Sequence, residues 1–145
     1  MTAELLREKY HIQGRNFDKA GEISSEIKVM LKDLELDAGC VRRVVIVAFE
    51  AEMNVVMYAD RGTLTLILTD RDVTLEVVDQ GPGIPDIELA MQEGYSTASD
   101  EMREMGFGFG MGLANMKKNS DEFCLESEVG KGTSVFARIR LDAYA

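Results

Sequence analysis

The sequence predicts a two-layer α/β sandwich, a mixed and mainly antiparallel sheet with its helices on one face. Two long stretches with apolar residues at helical spacing precede a pair of alternating stretches separated only by Asp70-Arg71-Asp72. Two further alternating stretches flank Gly130-Lys131-Gly132 near the end of the chain. With 145 residues, 46% of them hydrophobic, the chain can bury one core and is too short for two ordinary ones. A single domain over residues 1–145 is therefore expected, with no internal repeat, linker or low-complexity tail.

In residues 9–14, Tyr10 and Ile12 alternate with polar neighbours as in a short strand. Residues 21–36 place Ile23, Ile27, Met30, Leu31 and Leu34 on one side of a helix, with Ser24 and Ser25 near its start as caps. Residues 38–59 hold Val44 to Val47, a run that alone reads as a strand. The total length and the absence of Gly or Pro after Gly39 favour a helix covered by other structure. On it Glu50 and Asn54, four apart, share a face, while Glu52 points elsewhere and reads as solvated or partner-facing. Residues 62–69 and 73–79 form two antiparallel strands, and the Gly-Pro-Gly-Ile-Pro run at 81–85 breaks the chain. A short helix at 87–92, a glycine-rich segment at 94–112, a helix at 113–119 and strands at 122–129 and 133–141 complete the outline.

A formal charge of −10 opposes contact with nucleic acid or an anionic membrane, and the densest basic spots, Arg42-Arg43 and Lys117-Lys118, are pairs. An anionic ligand must then be held by backbone amides and a divalent cation. Cys40 and Cys124 lack metal-ligand spacing and read as reduced packing residues. The charged first residues do not form a signal peptide, and no segment approaches a membrane span, so a cytoplasmic protein is expected.

Four segments point to one site. An Asn carbonyl such as that of Asn54 is a hard oxygen ligand for Mg²⁺, and Glu50, one turn earlier, can deprotonate an attacking hydroxyl. Taken alone, both also fit a helix surface. Asp79, at a strand end, can accept from an exocyclic amine such as adenine N6, with Gly81 and Gly83 giving room for a ring; the same residues make an ordinary acidic turn. Gly106, Gly108, Gly110 and Gly112 alternate into a helix beginning at Leu113, a pattern that can wrap amides around a polyphosphate or be simply a glycine-rich loop. Neither a P-loop nor a Rossmann fingerprint is present. Gly132-Thr133 is either a hairpin or a place where the Thr133 hydroxyl reaches a base or a water beside Asp79.

In this order the segments strongly resemble the GHKL superfamily of ATP-binding folds. Glu50 to Asn54 corresponds to its N box, Asp79 to Gly83 to its first glycine box, Gly108 to Gly112 to its second and Gly132-Thr133 to its terminal GT element. Within it, the GPGIPDIELAMQEGYST run, Gly110-Met111-Gly112 and Asp121-Glu122-Phe123 followed by ESEVGKGT resemble the small bacterial anti-sigma-factor Ser/Thr kinases. The resemblance implies a Bergerat-type sandwich, ATP and Mg²⁺ as cofactors, and a lid over residues 93–107. It implies a STAS-domain antagonist as protein substrate and a sigma factor or other output protein as a second partner. It makes Asn54 the metal ligand, Glu50 the catalytic base and Asp79 the adenine-reading carboxylate. Gly108, Gly110, Gly112 and Leu113 become the phosphate turn, and Thr133 the hydroxyl near the base.

Tyr58 stands where many relatives carry His, and Arg103 is the sole cation of the lid. The sparse cations keep open an alternative, an ATP-gated binding module with weak or no phosphotransfer. His11, the only histidine, reads as a strand or surface residue, which argues against a complete sensor histidine kinase. Met53, Met57, Met105, Met111 and Met116 read as packing residues. Phe107 and Phe109 either anchor the lid or face a partner. The strand edge at 10–16 offers a homodimer contact or a docking edge for another protein.

Overall fold

The computed structural model describes residues 3–100 and 111–141. Strand β1 (Glu4–Gln13) leads through a single 3-10 turn (Phe17–Lys19) to helices α1 (Glu22–Asp33) and α2 (Ala38–Tyr58). A hairpin of β2 (Arg61–Thr69) and β3 (Asp72–Gln80) follows, then α3 (Ile87–Ala90), α4 (Gly112–Lys118), β4 (Glu122–Glu128) and β5 (Gly132–Arg140). The sheet runs β1-β2-β3-β5-β4 with every neighbouring pair antiparallel. This is the expected sandwich.

The period-2 pattern fixes which face is covered. Leu64, Leu66 and Leu68 of β2, Val73, Leu75 and Val77 of β3, and Val135, Ala137 and Ile139 of β5 are all buried. They meet the buried stripe of α2, including Val44, Val47, Ala48, Ala51 and Val55, and that helix also packs against α1 and α4. The valine run of α2 is thus helical because it is covered, the tertiary setting overriding β-propensity. Asp37 caps the helix, its carboxylate accepting from the Cys40 amide at 3.1 Å.

Two expectations about α1 and α2 are corrected. Neither serine caps α1: the N-cap is Gly21, at φ +92°, and the Ser24 hydroxyl donates to the Gly21 carbonyl at 3.0 Å. Nor is Glu52 solvated. It is 2% exposed, and its carboxylate accepts from the amides of Gly21 (3.0 Å), Ile23 (3.3 Å) and Ser24 (3.0 Å). A helix leaves its first amides without internal partners, and here a glutamate of the neighbouring helix satisfies them.

Strand β1 begins at Glu4, five residues before the predicted start, because an edge strand pairs through its backbone while charged side chains stay in water. Cys40 is buried as expected, whereas Cys124 lies exposed on β4. His11 is exposed on β1. Met53, Met57 and Met116 are buried, and Met105 lies outside the described residues. Among the described residues no helix is long and apolar enough to cross a membrane.

Candidate active site

A cavity of about 500 Å³ opens between α2, the ends of β3 and β5, and the segment after β3. Its size suits a small organic ligand. Ala59, Val77 and Val135 line its apolar interior, with Met53, Met57, Ile84 and Leu89 also on its walls. Five of the predicted site residues that carry side chains line it: Glu50, Asn54, Asp79, Leu113 and Thr133. Gly83 and Gly112 line it as backbone. Gly108 and Gly110 lie outside the described residues, as do Arg103, Phe107 and Phe109.

Helix α2 presents Glu50 and Asn54 on one face, and the start of α4 comes close against them. A Cβ placed on Gly112 would stand 2.8 Å from Glu50 Oε2 and 3.7 Å from Asn54 Oδ1. The second glycine region and the N box, far apart in sequence, meet at this glycine. The Asn115 side chain, one turn into α4, hydrogen-bonds the Glu50 carboxyl. Burial pushes the Glu50 carboxyl above the usual carboxylate range, and the Asn115 bond pulls it partly back.

Asp79 sits at the end of β3, half-buried. Its Oδ1 accepts from the Thr133 amide at 3.1 Å, and the Gly81 amide also bonds it. Burial raises its pKa, while the two amides lower it. Because a carboxylate can accept about four hydrogen bonds, acceptor capacity remains for an amine. Thr133 thus meets Asp79 through its backbone amide. The hydroxyl pairs with Ser127 Oγ at 2.9 Å.

The glycines of the first box serve the chain's own packing. At Gly83, φ +79°, a Cβ would stand 2.4 Å from the Glu128 carbonyl oxygen, so the missing side chain lets the β4–β5 hairpin approach. Ser127 ties the same corner, accepting from the Ile84 amide at 2.7 Å. Gly132, φ +141°, has no room for a Cβ, which would fall 2.1 Å from the Asp79 carbonyl oxygen. Gly81 is less extreme, with a virtual Cβ at 3.1 Å from both the Ala59 Cβ and Asp79 Oδ1.

Sequence reasoning missed Asn115, Ser127 and the trio Tyr95, Ser96 and Thr97, which lines the cavity from the described part of the expected lid. Asn115 was legible in principle, lying three residues after Gly112 on a predicted helix. Tyr58 also lines the cavity. No lysine, arginine or histidine is among the described lining residues. Among the described residues no group of three or more His, Cys, Asp or Glu could by itself hold a metal.

The sequence pattern of the histidine kinase-, DNA gyrase B-, and HSP90-like ATPase family matches residues 39–143. The chain belongs to this family. As a member it is 38% identical over 92 residues to the serine/threonine-protein kinase RsbT of Bacillus subtilis (strain 168), covering 61% of this chain and 63% of that one. It is 36% identical over 94 residues to an anti-sigma F factor of Clostridium acetobutylicum, covering 61% and 62%. The match thus spans less than two thirds of either relative. Among solved structures, the RsbU and RsbW domains of Rv1364c from Mycobacterium tuberculosis superpose with a TM-score of 0.60 at 16% identity, over 92% of this chain and 32% of that one. That likeness establishes the fold. Every described segment that resembled the ATPase family in sequence lines or closes the cavity.

The raised Glu50 pKa has a consequence for stability. A carboxyl whose folded pKa lies above its unfolded value binds more protons when folded, so its contribution is full below the unfolded value of about 4.5 and is lost as pH rises through the folded value. Glu50→Gln removes this dependence. In the ligand-free protein the variant is expected to melt above wild type at neutral pH, with the gap closing as pH falls below the ordinary carboxylate range. Melting curves across that range check it; a gap that widens on acidification would contradict the assignment.

Proposed function

We propose that this chain is a cytoplasmic ATP- and Mg²⁺-dependent protein serine/threonine kinase of the anti-sigma-factor type. Its substrate is a Ser or Thr on a STAS-domain antagonist, and a sigma factor or another output protein is its second partner. The observation that carries this reading is the convergence of Glu50 and Asn54 on Gly112 in the same cavity as Asp79. The names of the relatives, a serine/threonine-protein kinase and an anti-sigma F factor, support the substrate class.

The residues present fit a nucleotide and its cation. Asn54 offers a hard oxygen that would hold Mg²⁺. Held there, the cation would supply neutralisation of charge on the phosphoryl oxygens. Asp79 receives the exocyclic amine and so selects adenine over a base that presents a carbonyl. The apolar lining, with Met53, Met57 and Ile84, takes the ring and excludes water. Glu50 accepts a hydrogen bond from the acceptor hydroxyl, orients it and takes its proton at the carboxylate. Burial favours that role, since a base whose pKa lies nearer to neutrality holds a proton more readily. The glycines through Gly108 and Gly110 to Gly112, with Leu113 behind them, hold the phosphates through amides.

Radiolabelled ATP and Mg²⁺, incubated with the protein and STAS-domain proteins encoded near its gene, should label one of them on Ser or Thr. ATP-dependent complexes without any labelled protein across that panel would favour the gated-binder reading instead. Asn54→Ala is expected to retain its fold and to lose most of the effect of Mg²⁺ on ATP affinity by calorimetry. Unchanged metal dependence would place the cation elsewhere.

A further inference from the structure

Ser127 does not line the cavity, yet its hydroxyl joins the two segments that frame Asp79. It stands directly opposite Thr133 across the β4–β5 pair, and Thr133 has the same parity as the buried Val135, Ala137 and Ile139. Three polar groups meet the Ser127 oxygen: the Ile84 amide at 2.7 Å, the Gly132 carbonyl oxygen at 3.1 Å and the Thr133 hydroxyl at 2.9 Å.

Proton counting orients this cluster. A serine hydroxyl has one proton and two lone pairs. The Ile84 amide can only donate, so it occupies a lone pair. The Gly132 carbonyl can only accept, so it takes the proton. Sending that proton to Thr133 instead would leave Ser127 Oγ and the Gly132 oxygen 3.1 Å apart with no hydrogen between them. The Thr133 hydroxyl therefore donates its own proton to Ser127. The Thr133 amide is already engaged, donating to Asp79 Oδ1 at 3.1 Å. With both donors in use, Thr133 has only lone pairs to show the cavity that it lines.

We infer that Ser127 is a positioning residue for base recognition: by holding the Thr133 proton it makes Thr133 and Asp79 a pair of acceptors for the two N–H groups of an exocyclic amine. A carbonyl at the same place would face acceptors alone. A threonine hydroxyl free to turn accepts from an amine or donates to a carbonyl, and so discriminates little. The one-sided hydroxyl adds a repulsive element against the wrong base. This inference rests on the reading of the cavity as an ATP site, and it holds whether or not phosphotransfer follows.

The corner is held by more than Ser127. The Gly130 amide donates to the Pro82 carbonyl at 2.9 Å, which ties the β4–β5 hairpin to the first glycine box. Gly83 and Gly132 bring the same segments into backbone contact. Removing the Ser127 hydroxyl therefore leaves Asp79 and Thr133 in place and changes which way the Thr133 proton points.

Calorimetry with ATP and with inosine triphosphate, which carries a carbonyl where ATP has the amine, tests this. Wild type should bind ATP at least about tenfold more tightly. In Ser127→Ala the ratio of the two affinities should narrow by about 3–10-fold, the size of one neutral hydrogen bond, chiefly through tighter binding of inosine triphosphate. Ser127→Cys, whose sulfur accepts only weakly, should shift the ratio in the same direction and serves if Ser127→Ala does not fold. Thr133→Val removes the hydroxyl, so adding Ser127→Ala to it should leave the ratio where Thr133→Val alone puts it. An unchanged ratio in the folded Ser127 variant, including an equal loss for both nucleotides, overturns the inference while the ATP reading stands. Narrowing that persists in the Thr133→Val background overturns it as well, as does equal binding of the two nucleotides by wild type. Absence of ATP binding by wild type would overturn the ATP reading and this inference together.

Discussion

In Glu50→Gln, phosphotransfer to a STAS-domain substrate is expected to fall by about 10²–10⁴-fold with little change in ATP affinity, the range typical for loss of general-base assistance. The substitution keeps side-chain length and can keep the hydrogen bond with Asn115, so the start of α4 should stay in place. What it removes is the only carboxylate beside Asn54 among the described lining residues of that face of α2. Asp79 is held separately, by the amides of Thr133 and Gly81, and binding at that end should persist. Single-turnover labelling together with calorimetry separates the two effects. Wild-type rates in the variant would assign Glu50 a structural role and leave catalysis to positioning alone.

Glu52→Ala is expected to lower stability by roughly 2–4 kcal/mol, as for buried polar groups separated from a charged acceptor. Three amides at the start of α1 would lose their partner, that of Ser24 in a buried place and those of Gly21 and Ile23 in partly buried ones. For a chain of this size the melting temperature should fall on the order of 10 °C. Glu52→Gln keeps an acceptor oxygen without the charge and should fall between the two. Chemical denaturation measures both; a change in Glu52→Ala below about 0.5 kcal/mol, the ordinary surface range, would mean that those amides find other partners.

The contrast between Glu50 and Glu52 shows what the sequence could and could not reveal. Helical spacing put Glu50 and Asn54 on one face, and the structure places both in the cavity. The same spacing sent Glu52 to another face without saying what stood there. Its burial depends on α1, which arrives from a different part of the chain with a glycine where a cap would be. Periodicity reports direction, and it is silent about the neighbour.

The fold was legible because β2 and β5 alternate regularly with one face buried, and β3 follows them apart from Thr74, which is buried between Val73 and Leu75. β1 was only half legible, since an edge strand with charges on both faces carries little pattern. The glycines were recognised by spacing, but a packing need that they also meet was not. Gly83 and Gly132 admit backbone from the chain itself, a steric need visible only when the hairpin is in place. The bond from the Thr133 amide to Asp79 and the pairing of its hydroxyl with Ser127, a residue without a motif, likewise needed the hairpin in place.

The order β1-β2-β3-β5-β4 makes the connection from Gln80 to Gly112 a long excursion that the sheet closes by pairing β3 with β5. The entropy of closing such a loop grows only with the logarithm of its length, about 0.6 kcal/mol for each doubling. Insertions and deletions there are thus cheap for the sheet, while the residues that grip a ligand from below stand on α2, β3 and β5, whose lengths the core fixes. A protein built this way can change how its cavity is covered, and hence which macromolecule approaches it, through mutations of length as well as of side chain. Gly112 limits that freedom at one end, because the loop must return to a point where no Cβ fits beside Glu50 without displacing the carboxylate.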